Sequence, residues 1–337
     1  MPEIVRDRNA ILVRSSILVP NWPAPGRYKL AVDGTVVDHA TYGISTPQLG
    51  AKFKNSPAGV AGFAAKLFVQ EVFGTGTEAT LRIIDEETGE FARAWDHFFL
   101  SRTSPESSIP IPSAELSYRV MAVRNLAKFV EWGHSIKRKY EHAIRPYVAS
   151  TSSRPVLLDW GCGCGRLARH LYDQCDYYGI DIDAEAVAWC QTNIPLGTFS
   201  QLSLRPETNF SSDLFDIIIG NSVFTHLSEQ DQFLWLKELR RISKPSATVA
   251  VSVNCATSLF NAADPPRIVS VLQEHGYCNA GPDLSLKGVT SNDDYYRAAF
   301  HTQDYIWKQW SQYFSILDIL PGFVGNIQDL VIMRPRK

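Results

Sequence analysis

The residues of this chain with the clearest chemical meaning lie at positions 156–166, which read Val-Leu-Leu-Asp-Trp-Gly-Cys-Gly-Cys-Gly-Arg. Asp159 ends an apolar run, and alternating glycines follow it at Gly161, Gly163 and Gly165. Glycine lacks the Cβ atom that would hold the backbone away from a ligand, and a helix opening at Arg166 would present free backbone N–H groups. This spacing predicts a turn that binds a nucleotide cofactor.

A second acidic residue follows at the distance that such a turn requires. The short apolar run 177–180 ends in Asp181, twenty residues after Gly161. A carboxylate at the end of this strand can accept hydrogen bonds from both hydroxyls of a ribose. Asp181 is therefore the predicted ribose-binding residue.

Two cofactor classes share a turn of this kind, and position 166 separates them. The nicotinamide pattern G-x-G-x-x-G would need glycine where the chain has Arg166, and the sequence instead reads D-x-G-x-G-x-G. Asp159 would repel a pyrophosphate but attract a cation. It therefore fits the ammonium group of S-adenosylmethionine (SAM), directly or through a water molecule.

With these residues the chain resembles the class I SAM-dependent methyltransferases, over roughly its C-terminal two thirds. The resemblance implies a Rossmann-like α/β domain with a mostly parallel, seven-stranded sheet and helices on both faces. It also implies a set of cofactor-binding residues, which are Asp159, Gly161, Cys162, Gly163, Gly165, Arg166, Asp181, Ile182, Asn221, Ser222 and Val223. The family's acid on the third strand is not recognisable in residues 202–207, so the adenine contact near Leu204 and Arg205 stays unassigned.

Further segments of the family pattern follow in order. The run 215–220 reads as the fourth strand, and Ser228 begins a capping-box pattern that predicts a helix ending at Lys244-Pro245. Three later β-rich runs predict a fifth strand and two closing strands, at 248–253, 316–320 and 328–333.

Two histidines are candidates for the base that removes a proton from the methyl acceptor. His226 lies just after the fourth strand, where ligands bind in a doubly wound sheet, and histidine changes charge near neutral pH. In related sequences a histidine here often only shapes the loop, so that alternative stays open. His301 is the second candidate, and it precedes a plausible helix from Gln303 to Phe314 with Thr302 as N-cap.

Aromatic and polar residues near these histidines suggest an acceptor pocket. Tyr295 and Tyr296, together with Phe224 in the exit loop, are predicted to bind a sugar or another polyhydroxylated acceptor. Packing in the core is the alternative for these rings. No metal is expected, because Asp293 and Asp294 lack a third assignable acidic ligand and Cys162 and Cys164 lack a second Cys/His pair.

The sequence before residue 105 has a different character. Asp33-Gly34 predicts a two-residue hairpin between 28–32 and 35–37, and the runs 79–84 and 91–95 predict a second antiparallel pair. Several such strands suggest an all-β, sandwich-like domain. It is similar to accessory β-sandwich modules of glycan-modifying enzymes, although no single motif carries that similarity.

A proline-rich stretch, 104–112, joins the two halves, and a helical pattern follows from Ala114 to Tyr147 with Gly133 as a break between two helices. These helices resemble those that cover the cofactor in many methyltransferases of this class, the alternative being packing on the sheet edge. The predicted organisation is a β domain at 1–104, a linker with capping helices at 105–150, and a SAM-binding domain at 151–337.

Composition sets further limits. The chain has 337 residues, 45% of them hydrophobic, and a formal net charge of −2, so no broad excess of basic residues is present to bind nucleic acid. No long apolar run predicts a membrane span, the N-terminus lacks a secretory pattern, and the six scattered cysteines suggest reduced thiols in a cytoplasm.

These observations favour a SAM-dependent O-methyltransferase of a saccharide or similar hydroxylated acceptor, for example in glycan biosynthesis. The alternatives are an N-methyltransferase of a small metabolite, a nicotinamide-dependent oxidoreductase, and an inactive methyltransferase-like binding protein.

Overall fold

The computed structural model of the protein describes most of the chain. The described ranges are 3–7, 9–16, 27–44, 62–92, 95–102, 108–121, 124–149, 154–204, 206–283 and 295–336. The residues group into two compact units. The N-terminal unit comprises Met1–Glu106 with Asn125–Lys139, and the C-terminal unit comprises Ser107–Arg124 with Tyr140–Lys337.

The N-terminal unit is built from two antiparallel sheets of four strands, in the orders β1-β2-β6-β5 and β4-β3-β7-β8. Its elements are β1 (Glu3–Asp7), β2 (Ala10–Ser16), β3 (Tyr28–Val32), β4 (Thr35–Val36), β5 (Thr41–Ile44), β6 (Gly62–Phe68), helix α1 (Val69–Phe73), β7 (Glu78–Asp85) and β8 (Phe98–Ser101). The all-β class predicted for this part of the chain is confirmed.

The first predicted hairpin is confirmed, but the second has a different partner strand. Asp33 and Gly34 have φ of 48° and 84°, the positive values that a tight hairpin turn requires. Strand β7 pairs with β8 rather than with 91–95, where only Phe91 forms a bridge to the strand and positions 93 and 94 lie outside the described residues. The carboxylate of Asp96 accepts the backbone N–H of Ile83 at 2.8 Å, so a side chain takes the place of a strand partner.

A buried group of charges lies in the N-terminal unit. Asp96 accepts a hydrogen bond from Arg82 Nε at 2.9 Å, and Lys139, only 6% exposed, donates to the backbone carbonyl of Trp95 at 2.6 Å. Burial lowers the pKa of Lys139 to about 7, although the nearby Asp96 carboxylate acts in the opposite direction. Charged Lys139 therefore costs folding free energy at neutral pH.

This burial predicts that the free energies of unfolding of the protein and of a Lys139→Met variant, whose side chain has a similar volume, differ by an amount that depends on pH. Unfolded lysine keeps its proton to about pH 10, whereas folded Lys139 releases it at about 7. The free energy of unfolding of the unmodified protein should therefore rise between these limits, by up to about 1.4 kcal/mol per pH unit. The variant should lack this rise in urea unfolding followed from neutral to alkaline pH.

The control for that experiment is Lys66→Met, because Lys66 is an exposed residue of the same unit. The free energy of unfolding of Lys66→Met should differ from that of the unmodified protein by an amount that does not change with pH. A difference for Lys139→Met that is equally constant would contradict the argument from burial.

The C-terminal unit contains a seven-stranded sheet in the order β11-β10-β9-β12-β13-β17-β16. The strands are β9 (Val156–Trp160), β10 (Asp176–Asp181), β11 (Thr198–Gln201), β12 (Phe215–Gly220), β13 (Ser243–Val253), β16 (Phe314–Val324) and β17 (Gln328–Pro335). The first five strands in that order are parallel, and β17 and β16 are antiparallel. The predicted Rossmann-like fold class is confirmed.

Strand β9 marks the place where the order of the parallel strands reverses. It pairs with β10 on one side and with β12 on the other. In open α/β sheets, ligands bind beyond the carboxyl ends of the strands at such a reversal. The loops after β9, β10 and β12 therefore surround the expected cofactor site.

Further helices and a small two-stranded sheet complete the described structure, and the helical segment Asn125–Lys139 is part of the N-terminal unit. The helices are α2 (Ala114–Met121), α3 (Leu126–Ile144), α4 (Ala184–Asn193), α5 (Glu229–Ile242), α6 (Pro265–His275) and α7 (Gln303–Gln309), and the small sheet pairs β14 (Tyr277–Pro282) with β15 (Arg297–His301). The N-caps are as predicted, since Ser228 accepts from the N–H of Asp231 and Thr302 from that of Tyr305. In the part of the chain that the structure describes, no helix has the length and apolarity to cross a membrane.

Three predicted boundaries need correction. Gly133 lies inside α3, and the helices are instead separated between Met121 and Leu126. A glycine in a helix costs only about 1 kcal/mol, which the apolar face of α3 offsets. Helix α5 ends at Ile242 and β13 already begins at Ser243, so Pro245 is part of a strand. The helix predicted from Gln303 to Phe314 ends at Gln309 and continues as a 3-10 turn.

The described part of the proline-rich stretch is held by the C-terminal unit. Arg169, which is 3% exposed, donates to the backbone carbonyls of Ile109 at 2.7 Å and Pro110 at 3.3 Å. Positions 104–107 of the predicted linker lie outside the described residues.

A group of aromatic rings supports the sheet beneath the expected site. The ring of Trp160 lies 5.1 Å from that of Phe224 and 4.6 Å from that of Trp235, and Phe224 lies 4.6 Å from Trp310. All four side chains are at most 2% exposed. This core fixes the end of β9 against the loop that follows β12.

Candidate functional site

The turn after β9 is held by backbone conformations that favour glycine. Gly161 and Gly163 have φ of 81° and 52°. A Cβ atom at Gly161 would lie 2.5 Å from Val223 Cγ2, and one at Gly163 would lie 2.6 Å from Val120 Cγ2. The turn is therefore closely packed against the loop after β12 and against α2.

The expectation of an α-helix opening at Arg166 is wrong. Gly165 has φ of 76°, and the chain continues through turns into a short 3-10 helix, Ala168–His170. The backbone N–H of His170 bonds to the carbonyl of Leu167 at 3.0 Å, three residues back. The glycine turn itself, rather than a long helix, therefore offers the backbone to a ligand.

Asp181 connects the end of β10 to the glycine turn. Its Oδ2 accepts the N–H of Gly163 at 2.7 Å, and its Oδ1 accepts the N–H of Asp183 at 2.9 Å. Burial raises its pKa, while these backbone hydrogen bonds act to lower it. Each carboxylate oxygen keeps a second lone pair, so the carboxylate can still accept hydrogen bonds from a diol.

Asp159 is buried at the carboxyl end of β9. It is 2% exposed, and the hydroxyl of Tyr177 donates to its Oδ2. Burial raises the pKa of Asp159 to about 7; the hydrogen bond from Tyr177 opposes this effect and the Asp181 carboxylate adds to it. Near neutral pH this carboxyl therefore exchanges a proton readily, and a cation beside it would favour the ionised form.

Arg166 brings a positive charge to the same end of the site. It forms no hydrogen bond or ion pair with another residue that the structure describes. Burial lowers its pKa, against the opposing effects of Cys164, Tyr140 and Asp159. The side chain is half-buried, and a guanidinium without a partner among the described residues favours an anionic ligand.

The loop after β12 has a strained residue at its start. Ser222 has φ of 63°, a region that non-glycine residues seldom adopt. Its N–H donates to Ser252 Oγ at 2.7 Å, and its hydroxyl donates to Gln328 Oε1 at 3.0 Å. Before it, Asn221 Oδ1 accepts a hydrogen bond from the hydroxyl of Tyr140 at 3.2 Å. These contacts hold the loop beside the glycine turn.

Two further residues predicted to bind cofactor occupy the same loops. Cys162 is buried, and its side-chain contact with Cys190, followed by burial, raises the pKa of its thiol well above the usual value. Ile182 follows Asp181 and packs partly buried against the core. The six cysteines are free thiols. Across the described ranges, no group of three or more His, Cys, Asp or Glu side chains is placed to hold a metal ion, and Asp293 and Asp294 lie outside those ranges.

His226 lies at the rim of this site. It ends the 3-10 helix Phe224–His226, and its imidazole stacks on the ring of Tyr296, with 3.9 Å between centroids and 11° between planes. Its Nδ1 lies 3.3 Å from Asp283 Oδ2. Sequence reasoning missed Asp283, because no motif surrounds it and nothing in its spacing indicates the pairing.

His301 occupies a different environment, in the core. It is 1% exposed, and its Nε2 lies 2.8 Å from Gln232 Oε1. Burial lowers the pKa of His301 to about 3. The amide of Gln232 donates to the carbonyls of Phe224 and Leu227, each at 3.2 Å. This environment favours a structural role for His301, which supports the loop that carries His226.

The predicted acceptor-binding rings are also divided by the structure. Tyr296 lies beside His226, whereas the hydroxyl of Tyr295 lies 3.5 Å from Trp235 Nε1, against the core. Phe224 is fully buried between Trp160 and Trp310. Only Tyr296 is therefore brought to the base candidate, because the other two rings are taken up by aromatic packing.

Helix α2 covers the glycine turn. Besides the contact of Val120 described above, the backbone carbonyl of Leu116 accepts from the thiol of Cys164 at 3.5 Å. Arg119 pairs with Asp183 at 2.9 Å and with Glu185 at 2.8 Å, at the N-terminus of α4. Helix α2 thus packs against the glycine turn, and its covering of bound cofactor stays a prediction.

A parallel sheet with a glycine turn after β9, an acid after β10 and a rim loop after β12 defines the class I SAM-dependent methyltransferase domain. Residues 157–246 match the family described as "Methyltransferase domain". This part of the C-terminal unit is therefore a methyltransferase domain, and the protein is an enzyme whose cofactor is SAM. This family match, with Arg166 in place of a glycine, disfavours the nicotinamide-dependent alternative.

Several solved structures are similar to this chain. A protein of Pyrococcus horikoshii OT3 is 18% identical, with 65% of this chain and 98% of that chain covered and a TM-score of 0.42. A SAM-dependent methyltransferase of Methanosarcina mazei is 19% identical, with 58% and 96% covered and a TM-score of 0.42. Magnesium protoporphyrin IX methyltransferase of Synechocystis PCC 6803, with bound SAH, is 18% identical, with 62% and 87% covered and a TM-score of 0.40.

Proposed function

We propose that this enzyme methylates a hydroxyl group of a saccharide or another polyhydroxylated acceptor. The observation that carries the proposal is the position of His226, which stacks on Tyr296 and lies beside Asp283 at the rim of the cofactor site. A hydroxyl acceptor must lose its proton when it is methylated, and an imidazole at this place can accept it. The similarity of the N-terminal β domain to modules of glycan-modifying enzymes is in keeping with such an acceptor.

The residues around the glycine turn fit SAM, and the ribose, the ammonium and the carboxylate of the cofactor each have a candidate partner. Asp181 would hold the ribose diol, Asp159 the ammonium and Arg166 the carboxylate, because a half-buried guanidinium without a bonding partner in the described structure suits an anion. The other residues proposed to contact the cofactor lie in the turn after β9 and in the loops after β10 and β12. They are Gly161, Cys162, Gly163, Gly165, Ile182, Asn221, Ser222 and Val223.

The chemistry is an in-line displacement, for which bound SAM supplies an electrophilic methyl group. His226 takes the proton of the acceptor hydroxyl at Nε2 as the oxygen–carbon bond forms and the carbon–sulfur bond breaks. Because methyl transfer would remove the positive charge of the sulfonium, the protein would need to contribute mainly orientation of the acceptor and removal of its proton. Val120 and Leu116 of helix α2 contact the glycine turn, and we propose that the helix limits access of water there.

The acceptor class can be tested with the purified full-length enzyme and SAM carrying a labelled methyl group. We expect label on a hydroxyl oxygen of one class in a panel of nucleotide sugars, glycolipids, phenols and amines. Label on a nitrogen of an amine would replace the O-methylation proposal with N-methylation. Binding of cofactor without transfer to any hydroxyl or amine would favour an inactive binding protein.

We also propose that residues 1–104 recognise the acceptor and that residues 151–337 carry out methyl transfer. Residues 105–150 would link these two parts and cover the cofactor. Because Asn125–Lys139 group with the N-terminal unit, this part of the helical stretch would act together with the recognition module in the proposed arrangement. Binding of glycans to the full-length chain saturated with S-adenosylhomocysteine would test this assignment, and absence of any glycan binding would contradict it.

Replacement of Asp181 by alanine is expected to weaken SAM binding by about 1–3 kcal/mol, because a buried acceptor of the ribose hydroxyls is lost. Isothermal titration calorimetry measures the change. Asp176→Ala is the matched control, because this residue begins the same strand and its side chain is 59% exposed. Equal affinities of the Asp181 variant and the control would remove the ribose assignment.

A further inference from the structure

Asp283 and Tyr296 contact His226 from one small structural unit, the β14–β15 sheet. The N–H of Asp283 donates to the carbonyl of Tyr296 at 2.8 Å, just beyond the pairing of Pro282 with Arg297. The two side chains thus belong to facing ends of the same antiparallel pair. Neither contact depends on the other, since one is to the edge of the imidazole and one to its face.

An irregularity in the β14–β15 pairing gives Asp283 its position. The register shifts between Asn279 and Pro282, and Gly281 between them has φ of 113°. The N–H of Gly281 donates to Asn279 Oδ1 at 3.0 Å, which closes this local turn. Bulges next to active sites commonly re-aim a side chain. Here the shift precedes the residue whose carboxylate lies 3.3 Å from His226 Nδ1.

The same group lies close to the cofactor site. Burial raises the pKa of Tyr296, and the carboxylates of Asp181 and Asp283 raise it further. Both carboxylates are therefore near enough to affect the phenol. The ring that stacks on His226 is therefore within electrostatic range of Asp181, the carboxylate that binds the N–H of Gly163.

We propose that Asp283 is the positioning residue of His226. In this structure the carboxylate lies 3.3 Å from Nδ1 and the two groups are not aligned as a hydrogen bond. In the proposed complex with acceptor this contact tightens, so that the carboxylate accepts the Nδ1–H and selects the tautomer whose Nε2 carries a free lone pair, while Tyr296 fixes the plane of the ring. A histidine is a useful base only when the nitrogen that faces the substrate is the unprotonated one. This inference rests on the proposed O-methylation, for which His226 is the base.

The proton balance of the step assigns a second task to Asp283. The acceptor hydroxyl gives its proton to Nε2, so the imidazole becomes a cation while the new oxygen–carbon bond forms. The adjacent carboxylate stabilises that cation, and Nε2 returns its proton to water after the product leaves. No co-reactant beyond SAM and the acceptor is required.

The charged environment of His226 is defined by the elements packed against it. Asp283 and Tyr296 touch the ring, and Asp181 is the next carboxylate. Strand β15 adds Arg297 and His301, the latter turned to Gln232 in the core. Asp283 is therefore the one carboxylate in direct contact with the imidazole among the described residues.

The proposal predicts a specific pattern for Asp283→Asn in the full-length enzyme. We expect kcat to fall by about 10²-fold with little change in KM for SAM or for the acceptor, and Asp283→Glu to recover part of the loss. Asp304→Asn, at an exposed position shortly after β15, is the matched control.

A second measurement does not depend on turnover. Nitrogen-15 NMR of the histidine rings, in the protein saturated with S-adenosylhomocysteine and with His226 assigned from His226→Gln, reports the tautomer. We expect the Nδ1-protonated form in the unmodified protein and a mixture in Asp283→Asn. An unchanged tautomer and an unchanged kcat in Asp283→Asn would overturn the proposal, and circular dichroism verifies that the variant is folded.

The two proposals fail in different ways. If His226→Gln abolishes turnover while Asp283→Asn retains kcat and the tautomer, His226 remains the base and the role of Asp283 is refuted. If the enzyme methylates no hydroxyl, the proposed function falls, and the tautomer measurement alone still decides whether Asp283 orients the ring.

Discussion

His226→Gln is expected to lower kcat for methyl transfer to a hydroxyl acceptor by about 10²-fold or more, with the dissociation constant for SAM unchanged. The imidazole contacts Tyr296 and Asp283 at the rim of the site, and neither of these contacts involves the glycine turn that binds the cofactor. Loss of the side chain therefore removes the base without removing a cofactor contact. Single-turnover kinetics with labelled SAM measures the chemical step, and calorimetry measures the affinity.

The matched control is His275→Gln, because the side chain of His275 is 61% exposed at the end of α6. It should keep both kcat and affinity. If His226→Gln turns over as fast as this control, His226 is not the base. A joint loss of affinity and turnover would instead indicate that the ring mainly shapes the loop, which is the alternative that the sequence left open.

The variant His301→Gln tests whether His301 has a structural role that differs from the role of His226. Because His301 is buried and bonded to Gln232, its replacement should lower thermal stability and disturb the loop from beneath. A stable His301→Gln protein with a turnover deficit as large as that of His226→Gln would contradict the structural role given to His301.

The fold could be predicted from sequence because its signals are local. The apolar run that ends in Asp159 and the glycines after it encode a strand and a turn, and the Asp33-Gly34 pair encodes a hairpin through its positive φ values. Ser228 and Thr302 cap helices through hydrogen bonds that span only three residues. Such features are readable because the interacting groups are neighbours in the chain.

The features that were missed depend on contacts between distant segments. The carboxylate of Asp96 binds the backbone N–H of Ile83, where the second predicted hairpin would have placed a strand partner. Gly133 stays helical because the residues before and after it in α3 belong to one apolar face. Asp283 meets His226 only after β14 and β15 pair with a shifted register. No periodicity or short motif records a contact of this kind.

The cofactor site shows the same division. The residue types at Asp159, Gly161 and Asp181 were readable as a SAM-binding pattern, but their protonation and packing were not. That Tyr177 donates to Asp159, and that Val120 fills the space beside Gly163, are consequences of tertiary packing. These contacts decide how strongly the site responds to pH, which the sequence pattern alone does not reveal.

SAM affinity is expected to fall as the pH drops below 7, by up to about tenfold per pH unit. Burial raises the pKa of Asp159 to about 7 in the protein without cofactor, so the carboxyl is increasingly protonated below that value. The ammonium of SAM requires the carboxylate, and binding must then expel a proton. An α-amino group loses its own proton near pH 8, so affinity should be greatest between these two limits. Calorimetry in buffers of different ionisation enthalpy would detect the released proton.

Asp159→Asn is expected to weaken SAM binding on the order of 10²-fold near neutral pH and to abolish its acidic pH dependence, because a buried charge loses its partner. Asp173→Asn, at an exposed position, is the control. Because the raised pKa means that ionised Asp159 destabilises the free protein above pH 7, the asparagine variant should also unfold at a higher temperature at alkaline pH. Asp159 then lowers the stability of the free protein while it binds the cofactor. Unchanged SAM affinity together with an unchanged unfolding temperature in Asp159→Asn would remove Asp159 from the site.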